Sequence, residues 1–343
     1  MRNLIIIGNG FDKAHNLKTS YDEFLENMFS DFSSKWNTTH KGIIASGGYY
    51  AKTYASLKEF SSVITFLNGF IKKIIQEDMA KNWCDIEQLY FKELMLCDNK
   101  KSPKKLNEDF EVVKKHLSDY LKEEEKKAQK LDSYEALFEL FCVSDDTLIL
   151  NFNYTRIVES LYSKVIKCPI IHIHGELEND DNPIIFGYAA NHKESRDLLS
   201  KNDNEYMRNV KKHLYKRTNN HSKLIGFLDK YGGRANIYEQ IDVFFLGHSC
   251  GLSDKLILNE ILNNKDIYAI RRFYYNDYKD YFEGTVNIDR IMENDERFKE
   301  LIITFPDSHR MPQFSDDSTQ TQSFKNYIES VRMQYTLRTL LSK

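Results

Sequence analysis

Two short segments of this chain carry side chains suited to handling a water or hydroxyl at neutral pH. They are Asn153 in Asn151-Phe152-Asn153-Tyr154-Thr155 and His174 in His172-Ile173-His174-Gly175. An Asn amide can position a hydroxyl or an attacking water, and an imidazole titrates close enough to neutrality to take the proton. Three further clusters are Gly8-Asn9-Gly10-Phe11-Asp12, Phe186-Gly187-Tyr188, and Gly247-His248-Ser249 followed by Asp254. Each cluster stands at or just after the end of an apolar run that reads as a strand. In open parallel sheets ligands bind beyond the carboxyl ends of strands, so these clusters would meet along one edge. That convergence carries more than any single motif.

Taken alone, the motifs are weak. Gly8-Asn9-Gly10 lacks a third glycine, and a glycine pair after a strand is usually a plain turn. Between a buried strand and a helix it could instead present backbone N–H groups to a phosphate. Asn151 and Asn153 are two apart and would point the same way in an extended chain. Thr155 is placed to cap the next helix. Gly247-His248-Ser249-Cys250-Gly251 fits the G-x-S-x-G elbow of serine hydrolases, for which His309 is the one histidine downstream of Ser249. His172-x-His174 has the look of a metal pair, but no ordered series of further ligands follows, and no metal is expected.

The elements that would position these residues begin with Leu4-Ile5-Ile6-Ile7, a strand buried on both faces. Ser20 and Glu23 form a capping box for a helix carrying Tyr21, Phe24, Leu25 and Phe29. Residues 50–143 read as helical, and 104–130 places Phe110, Val113, Leu117, Tyr120 and Leu121 on one face of a charged helix. Strand character returns at Thr147–Phe152, Ile170–His174, Ile184–Gly187, Asp242–Leu246, Ile267–Tyr275 and Leu301–Thr304, with helices at 155–165, 205–230 and 253–263 between them. This alternation predicts an α/β, Rossmann-like, mainly parallel sheet. It would be one discontinuous domain with its core at about 1–30 and 145–343, a helical insertion at about 50–143 and a smaller one at about 190–238.

Composition narrows the function classes. The 343 residues carry 48 basic and 51 acidic side chains, a formal net charge of −3. That balance gives no support to general nucleic-acid or polybasic membrane binding. No stretch approaches the ~20 apolar residues needed to cross a bilayer. The five cysteines, at 84, 97, 142, 168 and 250, form neither a disulfide framework nor a CxxC zinc module. The chain therefore reads as reduced and cytoplasmic.

With those residues in view, the chain resembles the bacterial abortive-infection AbiH family. The resemblance rests on IIIGNGFDKAHNLKTSYDEF at 5–24, Trp83-Cys84-Asp85-Ile86-Glu87, NFNYT at 151–155, HIHGEL at 172–177, IIFGY at 184–188 and GHSCGLSD at 247–254. A more distant similarity is to sirtuin-like NAD-binding domains. It implies an effector of phage defence that hydrolyses the nicotinamide–ribose bond of NAD, with Asn153 and His174 in the catalytic positions. Gly8, Asn9, Gly10, Phe11, Asp12, Thr19, Tyr154, Gly175, Gly247, His248, Ser249 and Asp254 would hold the nucleotide. NAD enters as substrate, and no other cofactor is implied. Thr155 stands where sirtuins usually have Asp, and Asn9 and Asp12 replace their usual Ala and Ser. The four-cysteine zinc module is absent, which argues against a protein deacetylase. A non-catalytic nucleotide-binding sensor and the Ser249 hydrolase are the alternatives. A phage-derived trigger, assembly with further copies, and the roles of Trp83, Asp85 and Glu87 are left open.

Overall fold

The computed structural model describes residues 2–28, 68–74, 85–98, 102–236, 239–292 and 295–341. Phe29, Trp83 and Cys84 lie outside the described residues. In chain order the main elements are β1 (Arg2–Ile7), α1 (Asn9–Ala14), α2 (Ile86–Met95), α3 (Pro103–Glu125), α4 (Asp132–Phe141), β2 (Thr147–Asn151), α5 (Ile157–Tyr162) and β3 (Ile170–His172). They continue with α6 (His192–Ser200), α7 (Lys211–Leu214), α8 (Asn220–Leu228), β4 (Ile241–Leu246), α9 (Lys255–Leu262), β5 (Ile267–Arg272), α10 (Tyr278–Ile291), α11 (Asp295–Leu301) and α12 (Ser318–Leu341). The chain divides into two compact units. One comprises Met1–Lys18, Lys122–Ile185 and Leu214–Lys343, the other Thr19–Leu121 and Phe186–His213.

The first unit holds a five-stranded sheet in the order β3-β2-β1-β4-β5. Every neighbouring pair is parallel. This is the expected α/β, Rossmann-like sheet. The chain steps outward from β1 through β2 to β3, then returns to place β4 on the other side of β1. The carboxyl ends of β1 and β4 therefore mark the topological switch point, where such sheets take their ligands.

Alternation along the strands builds the two faces. Leu4, Ile6, Leu148, Leu150, Val243 and Phe245 pack with Ile257, Ile261, Ile288 and Leu301 from α9, α10 and α11. Ile5, Ile7, Ile149, Phe244 and Leu246 pack on the opposite side with Phe11, Tyr134, Leu137, Phe138, Ile157 and Ile328 from α1, α4, α5 and α12. Covering on both sides explains why the strands read as unbroken apolar runs.

Two expected strands do not form. Ile184–Gly187 makes a single backbone bond to the sheet edge, Ile185 N–H to His174 O at 2.7 Å. Pro183 before it has no N–H with which to extend a ladder. At Leu301–Thr304 the first residue ends α11, and only Ile302 makes an isolated bridge, to Ile270. The strands expected to reach His174 and Tyr275 stop at His172 and Arg272, because the chain turns to build the loops above the sheet.

In the second unit, Phe110, Val113, Leu117, Tyr120 and Leu121 are buried, as their spacing predicts. The Phe110 ring stacks on Tyr90 at 4.1 Å and on Phe186 at 5.1 Å. The Ser20–Glu23 capping box is present, with Ser20 N–H donating to Glu23 at 3.0 Å and Glu23 N–H to Ser20 Oγ at 3.4 Å. Asp85 caps α2 by accepting the Gln88 N–H at 2.9 Å. Glu87, 6% exposed, accepts the Gly187 N–H at 3.0 Å and pairs with the enclosed Lys211 at 3.1 Å. The charges of that pair offset one another inside the unit.

Candidate functional site

The site lies at the carboxyl edge of the sheet in the first unit. At β1 the glycine segment is the start of α1, with Gly8 as its N-cap, and not a separate loop. Its glycines have a packing reason. A Cβ on Gly8 would lie 2.5 Å from His248 Cα, and one on Gly10 would lie 2.7 Å from Gly247 Cα. Gly247 has φ +70°, and its Cβ would meet Phe11 N at 2.3 Å. The turns after β1 and β4 thus pack backbone to backbone at the switch point. The Gly8, Gly10 and Phe11 amides donate to Leu246, Gly247 and Gly8 carbonyls at 2.8–3.0 Å. Close approach, not an anion, accounts for these glycines.

Asp12, 2% exposed, faces the loop that follows β2. Asn153 Nδ2 donates to Asp12 Oδ1 at 2.6 Å and to Gly8 O at 3.0 Å, and Thr155 Oγ1 donates to Asp12 Oδ2 at 2.7 Å. Thr155 is therefore not the cap of α5; Arg156 holds that position without a side-chain bond. Two acceptors on Nδ2 fix the orientation of the Asn153 amide. Among the described residues no hydrogen bond uses its Oδ1. Asn151 does not point alongside Asn153: the chain turns after β2, and Asn151 Oδ1 accepts the Asn153 N–H at 2.9 Å. Burial raises the Asp12 pKa to about 7, against the lowering effect of the Thr155 and Asn153 bonds. Below this loop, His172 reaches Asn153 O at 3.2 Å through Nδ1 and Glu159 at 2.7 Å through Nε2. Burial opposes charge on His172, but the Glu159 carboxylate outweighs it and raises the pKa. Both ring nitrogens then donate, which ties the Asn153 backbone to α5.

After β3 the chain makes a tight turn. Gly175 has φ +79°, and a Cβ there would meet Pro183 O at 2.2 Å. This turn lifts His174 above the strand end. Leu177 N–H donates to Tyr154 O at 2.9 Å, so the loops after β2 and β3 are stitched together. His174 Nε2 lies 2.9 Å from Tyr215 Oη and 3.3 Å from Asp254 Oδ1. The other oxygen of Asp254 lies 3.4 Å from His248 Nε2. The Cys250 N–H points at His248 Nδ1 at 3.0 Å, and Nε2 faces Asp254. One carboxylate therefore bridges two histidines from different strand ends. Phe152 packs edge-on against both rings, at 5.1 Å from His174 and 4.3 Å from His248. A proton on Nε2 facing Asp254 would put the His174 lone pair on Nδ1, the arrangement a general base needs.

Of the remaining residues, Asn9 is exposed in the first turn of α1 and Thr19 belongs to the second unit. Tyr154 is half-buried and donates its hydroxyl to Ile185 O at 3.3 Å. Ser249 is exposed. His309, the histidine a serine hydrolase would need, bonds Arg310 O at 2.7 Å and Ser323 at 3.0 Å instead. The positive φ in the Gly247–Gly251 segment falls on Gly247 and Cys250, not on Ser249. Among the described residues no group of three or more His, Cys, Asp or Glu side chains could hold a metal ion. No described helix is long and apolar enough to cross a membrane. Tyr215 was not foreseen. It precedes no motif, and only folding sets it against His174, 41 residues away in sequence.

A comparison with curated proteins gives no match to the chain. The family model for bacteriophage abortive infection AbiH matches residues 4–276. That span takes in β2 to β5, all but the first two residues of β1, and every cluster described above; the chain belongs to the AbiH family, whose role is bacteriophage abortive infection.

Proposed function

We propose that this protein acts in abortive infection by hydrolysing the nicotinamide–ribose bond of NAD. The observation that carries this reading is an orientation-locked amide and a carboxylate-backed imidazole on one sheet edge, in loops bonded to each other. Cleavage passes through a cationic ribosyl species as neutral nicotinamide leaves. Asn153 Oδ1 accepts a hydrogen bond from a ribose hydroxyl or from the attacking water. His174 takes the proton that the water loses as its oxygen bonds to the ribose carbon, giving ADP-ribose, nicotinamide and a proton. Asp254 and Tyr215 hold the His174 ring in the tautomer this step needs.

Two of the departures from the sirtuin pattern, Asp12 and Thr155, also bear on this reading. Thr155 donates to Asp12, so the two positions are joined by a hydrogen bond in this chain. Chromatography of extracts from phage-infected cells tests the proposal. Nicotinamide and ADP-ribose should appear in equal amounts with the wild type and be absent with Asn153→Ala. Protection without either product would leave a nucleotide-binding sensor as the reading.

A further inference from the structure

Arg272 closes β5, opposite Phe245 and therefore level with the end of β4. Its environment is unusual for a cation. Nη1 donates to His248 O at 2.9 Å, which is the one hydrogen bond the guanidinium makes among the described residues. Nε is enclosed without a partner. No described carboxylate forms an ion pair with it; Asp280, whose charge acts on it from a distance, accepts the Asn276 N–H at 2.8 Å. Burial lowers the Arg272 pKa from its ordinary value, the mark of a charge desolvated without full compensation.

The fold also makes room for this side chain. A Cβ on Gly284, inside α10, would lie 1.7 Å from Arg272 Nε and 1.8 Å from Cζ. A glycine in a helix interior is destabilising relative to alanine. Here it lets the guanidinium lie flat across the helix. Arg2 and Arg297 also carry an enclosed Nε that makes no hydrogen bond. Arg297, on α11, donates to Asn264 O through another nitrogen, and Arg2 differs from Arg272 in two ways. It is 1% exposed, and it donates to Phe227 O at 2.7 and 3.1 Å. No ligand could reach it. Arg272 is half-buried at the edge where ligands of such sheets bind.

We infer that Arg272, seated over Gly284 and against His248, is the anchor for the phosphates of a nucleotide bound along this edge. Its planar N–H groups match the oxygens of a phosphate, and the ligand charge would complete the compensation the fold lacks. The His248 carbonyl links this anchor to Asp254 and so to His174, which places the phosphates and the ribose chemistry at successive stations along β5, β4 and β3. The inference rests on the reading that the edge takes a dinucleotide, but it does not require that NAD be cleaved.

The test is calorimetric titration of the full-length protein with inorganic pyrophosphate and with ADP-ribose, using adenosine as a probe without phosphate. Wild type should bind both phosphate probes. Arg272→Gln should weaken both at least tenfold and leave adenosine unchanged, while Arg272→Lys should retain part of the affinity. Gly284→Ala, which favours the helix but takes the space under the guanidinium, should reproduce the loss with the charge still present. Unchanged affinity in either soluble variant overturns the assignment, as does a wild type that binds neither phosphate probe. Arg272-dependent binding in a protein that never consumes NAD would leave the anchor standing and remove the hydrolase.

Discussion

Asp242, near the start of β4, and Asp12, just beyond β1, are both carboxylates almost wholly enclosed by the same unit. Around Asp242 the fold supplies a cation: Arg271 Nε donates to it at 2.8 Å, and the Tyr335 hydroxyl donates as well. Around Asp12 it supplies only an amide and a hydroxyl. The contrast repeats on β5, where Arg271 and Arg272 are successive residues facing opposite sides of the sheet. Burial opposes the charge on Arg271, but Asp242 outweighs it and raises the pKa; Arg272 has no such partner and its pKa falls. Arg271 and Asp242 are matched to each other within the fold, whereas Asp12 and Arg272, at the carboxyl edge, hydrogen-bond only to neutral groups among the described residues. Uncompensated groups at an edge are what a binding site leaves for its ligand.

The largest effect that would break this contrast is on stability. Arg271→Met leaves Asp242 buried without its cation and should cost roughly 3–5 kcal/mol in urea unfolding. Arg272→Gln should cost under about 1 kcal/mol, since it removes an uncompensated charge. Equal costs would erase the distinction between the two arginines.

Next is the pH dependence of Asp12. A carboxyl whose folded pKa is about 7 binds its proton more tightly in the folded state than in the unfolded chain. Its contribution to stability is therefore fully present below about pH 4 and is lost as the pH rises through about 7. At about 1.4 kcal/mol per pKa unit the loss is roughly 4 kcal/mol. Asp12→Asn should flatten that part of the profile, gaining relative to wild type at pH 8. A profile that keeps its slope in the variant would show that Asp12 is compensated after all.

Smaller again, Thr155→Val should cost about 1–2 kcal/mol at pH 8, where it deprives an ionised Asp12 of a donor. The cost should shrink at pH 5. Thermal melts at the two values would detect the difference, and an equal cost at both would detach Thr155 from the carboxylate.

Much of this arrangement is legible in the chain. Leu4–Ile7, Thr147–Phe152, Ile170–His174 and Asp242–Leu246 read as strands of a parallel sheet because both faces are covered, and Asn153, His174 and Asp254 stand at or after their ends. What local spacing does not carry is the pairing across the edge. Asp12 and Asn153 are 141 residues apart, and nothing near either predicts the bond between them. The Gly8-Asn9-Gly10 signal was real, but its cause is the approach of Gly247, which no spacing reveals. Arg272 lies inside the expected strand Ile267–Tyr275, and its meaning depends on a missing partner, which a sequence does not display. Ile184–Gly187 has strand composition, yet its backbone bonds to the His174 turn, a choice set by tertiary structure.

The most direct test of the central claim is the NAD content of cells followed before and during phage infection, with the wild type or with the Asn153→Ala/His174→Ala pair. The account predicts that NAD falls after infection in the wild type alone, with the paired variant expressed at the same level and leaving NAD intact. NAD that stays constant while the wild type still protects, or that falls equally with the paired variant, would contradict it.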